Sequence, residues 1–286
     1  MEENKPLFLK KGDIPKIIHY CWFGGKPIPD SLQKCIDSWG LLEDYQIIRW
    51  DESNCCFKEN EFIRKAYQDK LFVYMSDYYR LKALYEYGGI YLDTDVKVYK
   101  SFDDLLHYNV FFNFIFDCSV GSAVIGAQPG DQLIKNLLDM YDATTFRKNA
   151  SGKIFEWVGK QLTVDSYVTN NYYFTYFILK NYPAFRLNNR FQDLGDFVIF
   201  PKEYFEIGTL TAKHYTIHLC SGEWRIKIDD TKALKNKLKQ IIIKWPALFN
   251  KVQIIVRKHR YDRLKRDTPF YAYYLAQKEG RELPEL

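Results

Sequence analysis

The 286-residue sequence lacks several features that would assign it at once to a familiar class of protein. None of its six cysteines forms a C-x-x-C pair, which argues against a zinc ribbon or a thioredoxin-like protein. No apolar run is long enough to span a membrane, and the N-terminal segment "MEENKPLFLKKGDIPK" contains no apolar core of the kind found in secretion signals. We therefore expect a soluble, cytoplasmic protein whose thiols are reduced.

The sequence also lacks positive charge distributed over the whole chain. The formal net charge is +5, but the segment 225–267 holds 14 Lys or Arg against four acids, and the segment 1–224 carries a net charge of −4. This distribution is not typical of nucleic-acid-binding proteins, so we predict no nucleic-acid partner. Two interpretations of the basic tail stay open: a solvated helix packed on the body, or a peripheral docking surface for a membrane or a partner protein.

Aromatic residues, by contrast, are abundant, with 23 Tyr and 21 Phe in an aromatic fraction of 17%. They suit a core built from Phe and Tyr, and they also form surfaces on which sugar rings and nucleobases stack. Hydrophobic residues make up 47% of the chain, an ordinary value for a globular protein. The length is sufficient for one large α/β domain with a small appendage.

Predicted strands alternate with predicted helices along the first half of the chain. The strands are expected at 16–22, 45–50, 90–92, 96–99, 110–116, 122–126, 197–201 and 215–219. The helices are expected at 31–39, with Ser31 as cap, at 57–70, at 76–87, with Ser76 at its start, at 131–141 and from 230 onward. This alternation predicts an α/β fold with a mainly parallel sheet, while the segment 143–195 has weak periodicity and suggests helical insertions.

Two acidic residues, Asp93 and Asp95, interrupt the apolar segment that follows the Gly88–Gly89 break. Residues two apart in a strand share one face, and carboxylates this close repel each other unless a cation or a proton lies between them. A hard divalent ion such as Mg²⁺ or Mn²⁺ suits these oxygen ligands, particularly at the carboxyl end of a strand. A single D-x-D pair is nevertheless a weak signal by itself.

A second charged pair, Asp77 and Arg80, precedes the glycine break and lies on one face of the predicted helix because the residues are three apart. One interpretation is an ion pair at the helix surface. The other is a carboxylate that accepts hydrogen bonds from sugar hydroxyls, next to a guanidinium that holds it or binds a phosphate.

Three segments together carry a more specific signal: "IPKIIHYCWFGGKPIP", "SDYYRLKALYEYGGIYLDTDV" and "YTIHLCSGEW". In this order they resemble the D-x-D sugar transferases of glycosyltransferase family 32, which is similar to the glucosyltransferase domain of the large clostridial toxins. The resemblance covers residues 13–225. It implies a GT-A catalytic domain over residues 1–225, with residues 226–286 as a basic helical extension, a nucleoside diphosphate sugar donor that is usually a UDP-sugar, and a required divalent ion, commonly Mn²⁺.

The same resemblance implies roles for individual residues in donor binding. Trp22 would stack on the uracil, where a core Trp is the alternative, and Cys21 would offer backbone hydrogen bonds to the base. The remaining residues implied at the sugar and the diphosphate are Asn54, Ser76, Asp77, Arg80, Tyr91, Asp93, Ser221 and Trp224, the last two in a loop that closes over the donor.

The metal site implied by the resemblance contains Asp95 as a direct ligand, Asp93 in part through water, and His218 from the late "YTIHLCSGEW" segment. His214 is near that segment but out of phase with the motif, so His218 is preferred. A structural histidine within a strand is the alternative for either residue.

The resemblance further implies a retaining transfer of a hexose, with galactose or glucose favoured, to a glycan on a glycoprotein, a capsular polysaccharide precursor or a lipid-linked acceptor. No catalytic nucleophile or base is assigned. The segment "QLTVDSYVTNNYY" departs from the family's Thr-Gly-Pro element on the acceptor side. The alternatives are a non-catalytic sugar-binding protein with the same fold and, less favoured because Lys97 stands where Thr or Val is needed, an aspartate-based phosphatase.

Overall fold

A computed structural model describes residues 13–147, 153–211, 213–220 and 246–286, with only the backbone described for 246–250. The centre of the molecule is a large mixed sheet. Its strands, in spatial order, are β2 (Gln46–Trp50), β1 (Ile17–Cys21), β3 (Gly89–Leu92), β7 (Val124–Ala127), β5 (Val110–Phe116), β12 (Val198–Phe200) and β11 (Gln192–Asp193), with β6 (Ser119–Val120) beside β5.

Most strands of this sheet run in one direction. The strand β1 pairs parallel with both β2 and β3, and β12 pairs parallel with β5. The strand β7 lies antiparallel between β3 and β5, so those two strands share a direction. The expected α/β class with a mainly parallel sheet is therefore confirmed.

The described helices pack around the sheet. They are α1 (Asp30–Asp37), α2 (Glu61–Gln68), α3 (Phe72–Tyr87), α4 (Gln132–Asp142), α5 (Asn170–Asn181), α6 (Lys202–Phe205), α7 (Pro246–Leu264) and α8 (Tyr271–Glu279), with short 3-10 turns at Ser38–Leu41, Asp103–Leu105 and Lys265–Asp267. Helices on both faces of the sheet leave its strand ends as the open edge where a ligand can bind.

Alternate strand residues feed two separate cores, as the pleat of a strand requires. In β5, Phe112 belongs to the core on the side of α2 to α5, whereas Phe111 belongs to the core with Trp39 and α6. Each fully buried large apolar side chain contributes about 1.5–3 kcal/mol of burial free energy. The two cores hold the sheet rigidly and so fix the positions of its strand ends.

Two helix starts differ from the sequence prediction. The helix α1 begins at Asp30 after the extended Pro29, so Ser31 lies inside it, and α3 begins at Phe72, so Ser76 lies in its second turn. The reason for the second difference is local: Lys70 adopts a positive φ of 55°, which ends α2 and allows the chain to restart a helix almost at once.

The segment 143–195 forms more than the expected helical insertions. The strands β8 (Thr144–Phe146), β10 (Gln161–Val164) and β9 (Glu156–Val158) make a small three-stranded sheet, and the helix α5 follows it. These strands are too short to produce a clear period-two pattern in the sequence.

A second small sheet connects the centre of the chain to its later part. The strand β4 (Val96–Val98) pairs antiparallel with β13 (Thr216–His218), with Val96 opposite His218. Because Val96 directly follows Asp95, this pairing places His218 next to Asp95, although His218 and Asp95 are far apart in sequence.

Glycine is required where β3 enters the sheet. Gly89 has a φ of +109°, and a Cβ built on it would lie 2.6 Å from the carbonyl oxygen of Ile17 in β1. The preceding Gly88 ends α3 with a positive φ of 64°. The two glycines together allow the helix to turn directly into a strand that packs tightly against its neighbour.

The described part of the C-terminal segment packs against the body. Lys265 Nζ pairs with Asp117 Oδ2 at 2.6 Å, and the Tyr261 ring lies 5.3 Å from that of Phe116. Pro246 is the first residue of α7, where its missing N–H costs nothing. Among the described helices, none is both long enough and apolar enough to span a bilayer.

Candidate active site

The two acids of the D-x-D pair lie in a tight turn at the carboxyl end of β3. The backbone N–H of Asp93 donates to Ala123 O at 2.9 Å and that of Val96 donates to Asp93 O at 3.0 Å. The whole of β3 is buried, whereas the two acids are partly exposed. The turn thus brings both carboxylates to the open edge of the sheet, as expected for a binding site in an α/β fold.

Asp93 belongs to what we call the arginine cluster: Asp77, Arg80, Tyr91 and Asp93. Arg80 Nη1 lies 3.2 Å from Asp93 Oδ1, and Arg80 Nη2 donates to Asp77 Oδ1 at 2.9 Å. The Tyr91 hydroxyl also donates to Asp93 Oδ1, at 3.0 Å, and its ring lies under the guanidinium with 4.5 Å from the centroid to Cζ. The resulting arrangement holds the Asp93 carboxylate in one orientation.

Arg80 is only 4% exposed, although it carries a full charge. Besides the two carboxylates, its guanidinium donates to Ser122 O at 2.7 Å and to Ser76 O at 3.2 Å. Burial alone would lower the pKa of Arg80, but the carboxylates of Asp93 and Asp77 raise it. The predicted pair of Asp77 and Arg80 is therefore a buried ion pair, and the surface interpretation is wrong.

Burial in this cluster raises the pKa of both acids. Burial raises the pKa of Asp77 to about 7, against the lowering effect of Arg80. Burial likewise raises the pKa of Asp93, again opposed by Arg80. One cation shared by two carboxylates leaves the cluster with a net negative charge when both are ionised, which a second cation at the open edge would offset.

Asp95 belongs to a second group, the histidine cluster: Asp95, Glu206, His218 and Tyr261. His218 Nε2 lies 3.1 Å from Asp95 Oδ1, and His218 Nδ1 lies 2.7 Å from Glu206 Oε2. The N–H of Leu219 donates to Asp95 O at 2.9 Å, which continues the β4–β13 pairing and fixes the distance between Asp95 and His218.

The imidazole of His218 lies between carboxylates on both of its nitrogens. Burial alone would lower its pKa, but Cys220, Asp95 and Glu206 outweigh burial and raise it well above the usual value. The surrounding acids thus favour a positive charge at this ring. A divalent metal ion bound to Nε2 would displace any proton from that nitrogen and bring a larger positive charge to the same place.

The donor atoms at this edge fit a divalent ion. One carboxylate oxygen each from Asp93 and Asp95 and one ring nitrogen of His218 all lie within 4.8 Å of one another. Two hard oxygens and an imidazole nitrogen are a donor set that Mn²⁺ accepts. These are the three residues that the sequence proposed for the metal, and the structure brings them together.

The other residues proposed for the donor are placed less uniformly. The Trp22 indole donates to Lys26 O at 2.6 Å at the end of β1, and Cys21 beside it is buried, which raises its thiol pKa.

The Ser76 hydroxyl donates to Phe72 O at 3.2 Å within α3. Asn54 is exposed, and its amide closes the turn after β2 by donating to Arg49 O and accepting from Asp51 N. Ser221 and Trp224 lie outside the described residues.

Two further histidines occupy structural positions. His214 is buried and accepts from Thr209 N at 3.1 Å, with its ring against Tyr99. In β1, His19 Nδ1 accepts from the Trp50 indole at 3.1 Å, so its Nε2 carries the proton donated to Gly88 O at 2.8 Å. Burial lowers the pKa of His19 to about 4, which keeps it neutral.

Glu206 and Tyr261 are the residues of the site that sequence reasoning missed. Glu206 follows the one-turn helix α6, and Tyr261 lies in α7, well beyond His218 in the chain. The sequence around each of these residues has no distinctive pattern, and neither residue belongs to a recognisable motif. The one available signal was an acid between two apolar stretches, "YFEIG", which is too common to single out a site.

Comparison with known proteins shows what the segment around the D-x-D turn is similar to. The family described as "Glycosyltransferase sugar-binding region containing DXD motif" matches residues 29–112, a segment that includes α3, β3 and both acids of the turn. This part of the chain is similar to the DXD-containing sugar-binding region of glycosyltransferases, and the resemblance to family 32 is confirmed.

Two relatives illustrate the similarity. Inositol phosphoceramide mannosyltransferase 3 of Schizosaccharomyces pombe is 34% identical over 43% of this chain, and a glycosyltransferase of Acanthamoeba polyphaga mimivirus, L373, is 28% identical over 55%. The match spans 37% of the first protein's length and 67% of the second's. Among solved structures, the PaToxG glycosyltransferase aligns with 45% of this chain and 59% of its own at 19% identity and a TM-score of 0.38.

Proposed function

We propose that this protein is a metal-dependent glycosyltransferase that moves a hexose from a nucleoside diphosphate sugar to a glycan acceptor. The proposal rests on one observation: the ligand atoms of Asp93, Asp95 and His218 lie close together at the end of β3. Both acids belong to the segment that matches the sugar-binding region. A non-catalytic sugar-binding protein would have no need to keep both acids and the histidine in ligand geometry.

The metal ion, when bound, supplies positive charge that stabilises the diphosphate leaving group. Asp95 and His218 would hold it directly, because their facing atoms are 3.1 Å apart and both side chains reach the open edge of the sheet. Asp93 would complete the ligand set or reach the ion through water, and would also accept hydrogen bonds from sugar or ribose hydroxyls.

Arg80 acts in this scheme by orienting Asp93. Its donors are directed to Ser76 O, Ser122 O, Asp77 and Asp93, so the side chain is fixed before any donor binds. A preorganised carboxylate needs no reorganisation when the substrate arrives, which lowers the free-energy cost of binding in the reactive geometry.

UDP-galactose or UDP-glucose is our first hypothesis for the donor, with retention of anomeric configuration and Trp22 stacked on the uracil. The acceptor would be a glycan on a glycoprotein or a capsular polysaccharide precursor. Transfer of mannose is the second candidate, because two relatives from Schizosaccharomyces pombe are named inositol phosphoceramide mannosyltransferases. A lipid-linked acceptor would suit the basic tail, whose exposed residues in α7 include Lys258, Arg260 and Arg263.

The test is nucleotide release from a panel of donors: UDP-glucose, UDP-galactose, the UDP-N-acetylhexosamines and GDP-mannose, each with Mn²⁺ and with a chelator. We expect metal-dependent release from one donor and its loss in His218→Ala, whereas His107→Ala, which alters an exposed histidine, should match the wild type. Anomeric coupling constants of the product, measured by NMR, report retention. Failure of every donor to bind or turn over would contradict the proposal, and binding without turnover or transfer would favour the non-catalytic alternative.

A further inference from the structure

A buried carboxylate lies directly behind the proposed metal-binding histidine. Glu206 is 0% exposed, and its Oε2 is 2.7 Å from His218 Nδ1, on the side of the ring opposite Asp95. The backbone also connects the two residues, since His218 N donates to Glu206 O at 3.0 Å. A charged group this deeply buried is costly unless its lone pairs have donors.

The carboxylate of Glu206 receives donors on both oxygens. Asn113 Nδ2 donates to Oε1 at 3.1 Å, and the Tyr261 hydroxyl donates to Oε2 at 3.1 Å, beside the histidine. Tyr261 is only 3% exposed and comes from α7, so the C-terminal segment provides part of this environment.

The position of Glu206 decides which nitrogen of His218 is available. An ionised carboxylate only accepts hydrogen bonds, so His218 Nδ1 must carry a proton when it faces Glu206. The remaining nitrogen, Nε2, then faces Asp95 and is the atom that can bind a metal ion. Metal-binding histidines commonly depend on such a partner for their tautomer and ring orientation.

We propose that Glu206, held by Asn113 and Tyr261, is a positioning residue that presents His218 Nε2 to the metal ion, so that the helix α7 completes the metal site. The inference rests on the proposed function, because it takes His218 as a ligand. It adds that residues outside the D-x-D region set the metal affinity of that site. One of them, Tyr261, lies beyond the 1–225 domain predicted from sequence.

The test uses the full chain and measures Mn²⁺ binding directly, by electron paramagnetic resonance without any donor, in the wild type, Glu206→Gln and Tyr261→Phe. Glutamine keeps the size and can still accept from Nδ1, but it removes the negative charge that strengthens this hydrogen bond, and its amide N–H₂ would face the Nδ2 donor of Asn113. We expect the Mn²⁺ dissociation constant to rise about 10-fold to 100-fold in Glu206→Gln and less in Tyr261→Phe.

The controls are Glu203→Gln, in the helix just before Glu206 but bound to Asn189, and Tyr182→Phe, which removes an exposed tyrosine–carboxylate bond to Asp196. Both should bind Mn²⁺ like the wild type. In donor turnover, the two test variants should regain most of the wild-type kcat at saturating Mn²⁺, which a general loss of structure would not allow.

Two negative results have different meanings. If the wild type binds Mn²⁺ and both test variants bind it equally well, the positioning role is wrong while the proposed function stands. If the wild type binds no Mn²⁺ and turns over no donor, the proposed function itself is wrong and the positioning role falls with it. Tyr261→Phe keeps the question decidable should Glu206→Gln fold poorly, because it removes only one hydroxyl.

Discussion

The two acids of the D-x-D turn belong to clusters that the chain builds in opposite ways. The arginine cluster around Asp93 comes from α3 and β3, two consecutive elements joined by a glycine pair. The histidine cluster around Asp95 draws on α6, β13 and α7, elements that are far from the turn in sequence. The first is thus set by local geometry, whereas the second forms only when the tertiary structure is complete.

The two clusters also differ in what faces the aspartate. Asp93 faces Arg80, a permanent cation that also pairs with Asp77. Arg80 therefore orients the Asp93 carboxylate without fully neutralising its charge. Asp95 faces the Nε2 atom of His218, a ring nitrogen that a metal ion can bind. From this comparison we propose that Asp93 recognises and orients the donor, whereas Asp95 binds the metal ion directly.

The largest effect should come from Asp95→Asn, which removes a charged ligand at the proposed metal site. We expect donor turnover to fall about 10³-fold, comparable to the loss of one essential electrostatic group, with weaker Mn²⁺ binding. Initial rates at saturating donor provide the measurement, and Asp139→Asn, which alters an exposed acid paired with Lys135, is the control. Turnover within about 3-fold of the wild type would remove the distinction between the two aspartates.

Arg80→Gln tests the other cluster through stability. It leaves the buried Asp77 and the partly exposed Asp93 without their cation, so we expect a loss of about 3–5 kcal/mol in the free energy of unfolding. Urea denaturation followed by circular dichroism measures it, with Lys65→Gln as control because its pair with Asp69 is exposed and contributes little. A loss below about 1 kcal/mol would mean that Arg80 behaves as a member of an exposed ion pair rather than a buried one.

His19 lies outside both clusters and serves as a reference histidine. Because folding lowers its pKa, acid should destabilise the folded protein through this residue. Its folded-state pKa of about 4 lies below the unfolded value near 6.5, so the unfolded chain binds the extra proton in that window. Its contribution to stability should therefore be complete above pH 6.5 and fall by about 3 kcal/mol as the pH drops to 4. Stability profiles from pH 4 to 7 should lose this slope in His19→Gln. An unchanged slope would assign the acid sensitivity to other groups.

Tyr91→Phe should have the smallest effect. It removes one hydroxyl that donates to Asp93 Oδ1 while keeping the ring under Arg80, so we expect a loss of about 1 kcal/mol in the free energy of unfolding. The donor KM should rise while kcat changes little, because Asp93 stays charged but is less well oriented. A larger effect on kcat than on KM would place Tyr91 in the chemical step.

The contrast between the clusters also explains what the sequence could predict. The spacing of Asp77 and Arg80 on one helix, the glycine break and the D-x-D pair are all visible within the single segment 77–95, and the structure keeps them together. The mainly parallel sheet followed from alternating strands and helices in the same way. These features depend on local periodicity and turn chemistry.

The histidine cluster could be predicted only in part. His218 was recognised from a motif, but its partners Glu206 and Tyr261 meet it through the β4–β13 pairing and the packing of α7, which no local pattern encodes. The helix starts predicted at Ser31 and Ser76 were wrong because α1 begins directly after the extended Pro29 and because the positive φ of Lys70 lets a helix restart before Ser76. The roles of Trp22 and Asn54 at the donor stay predictions.

The most direct test of the central claim is the position of Mn²⁺ in a crystal grown with Mn²⁺ and UDP, located by anomalous scattering. We predict a peak about 2.1–2.2 Å from a carboxylate oxygen of Asp95 and from His218 Nε2, with Asp93 bound directly or through one water. A peak away from the D-x-D turn, or none in crystals that contain bound UDP, would contradict a metal-dependent transferase built on Asp95 and His218.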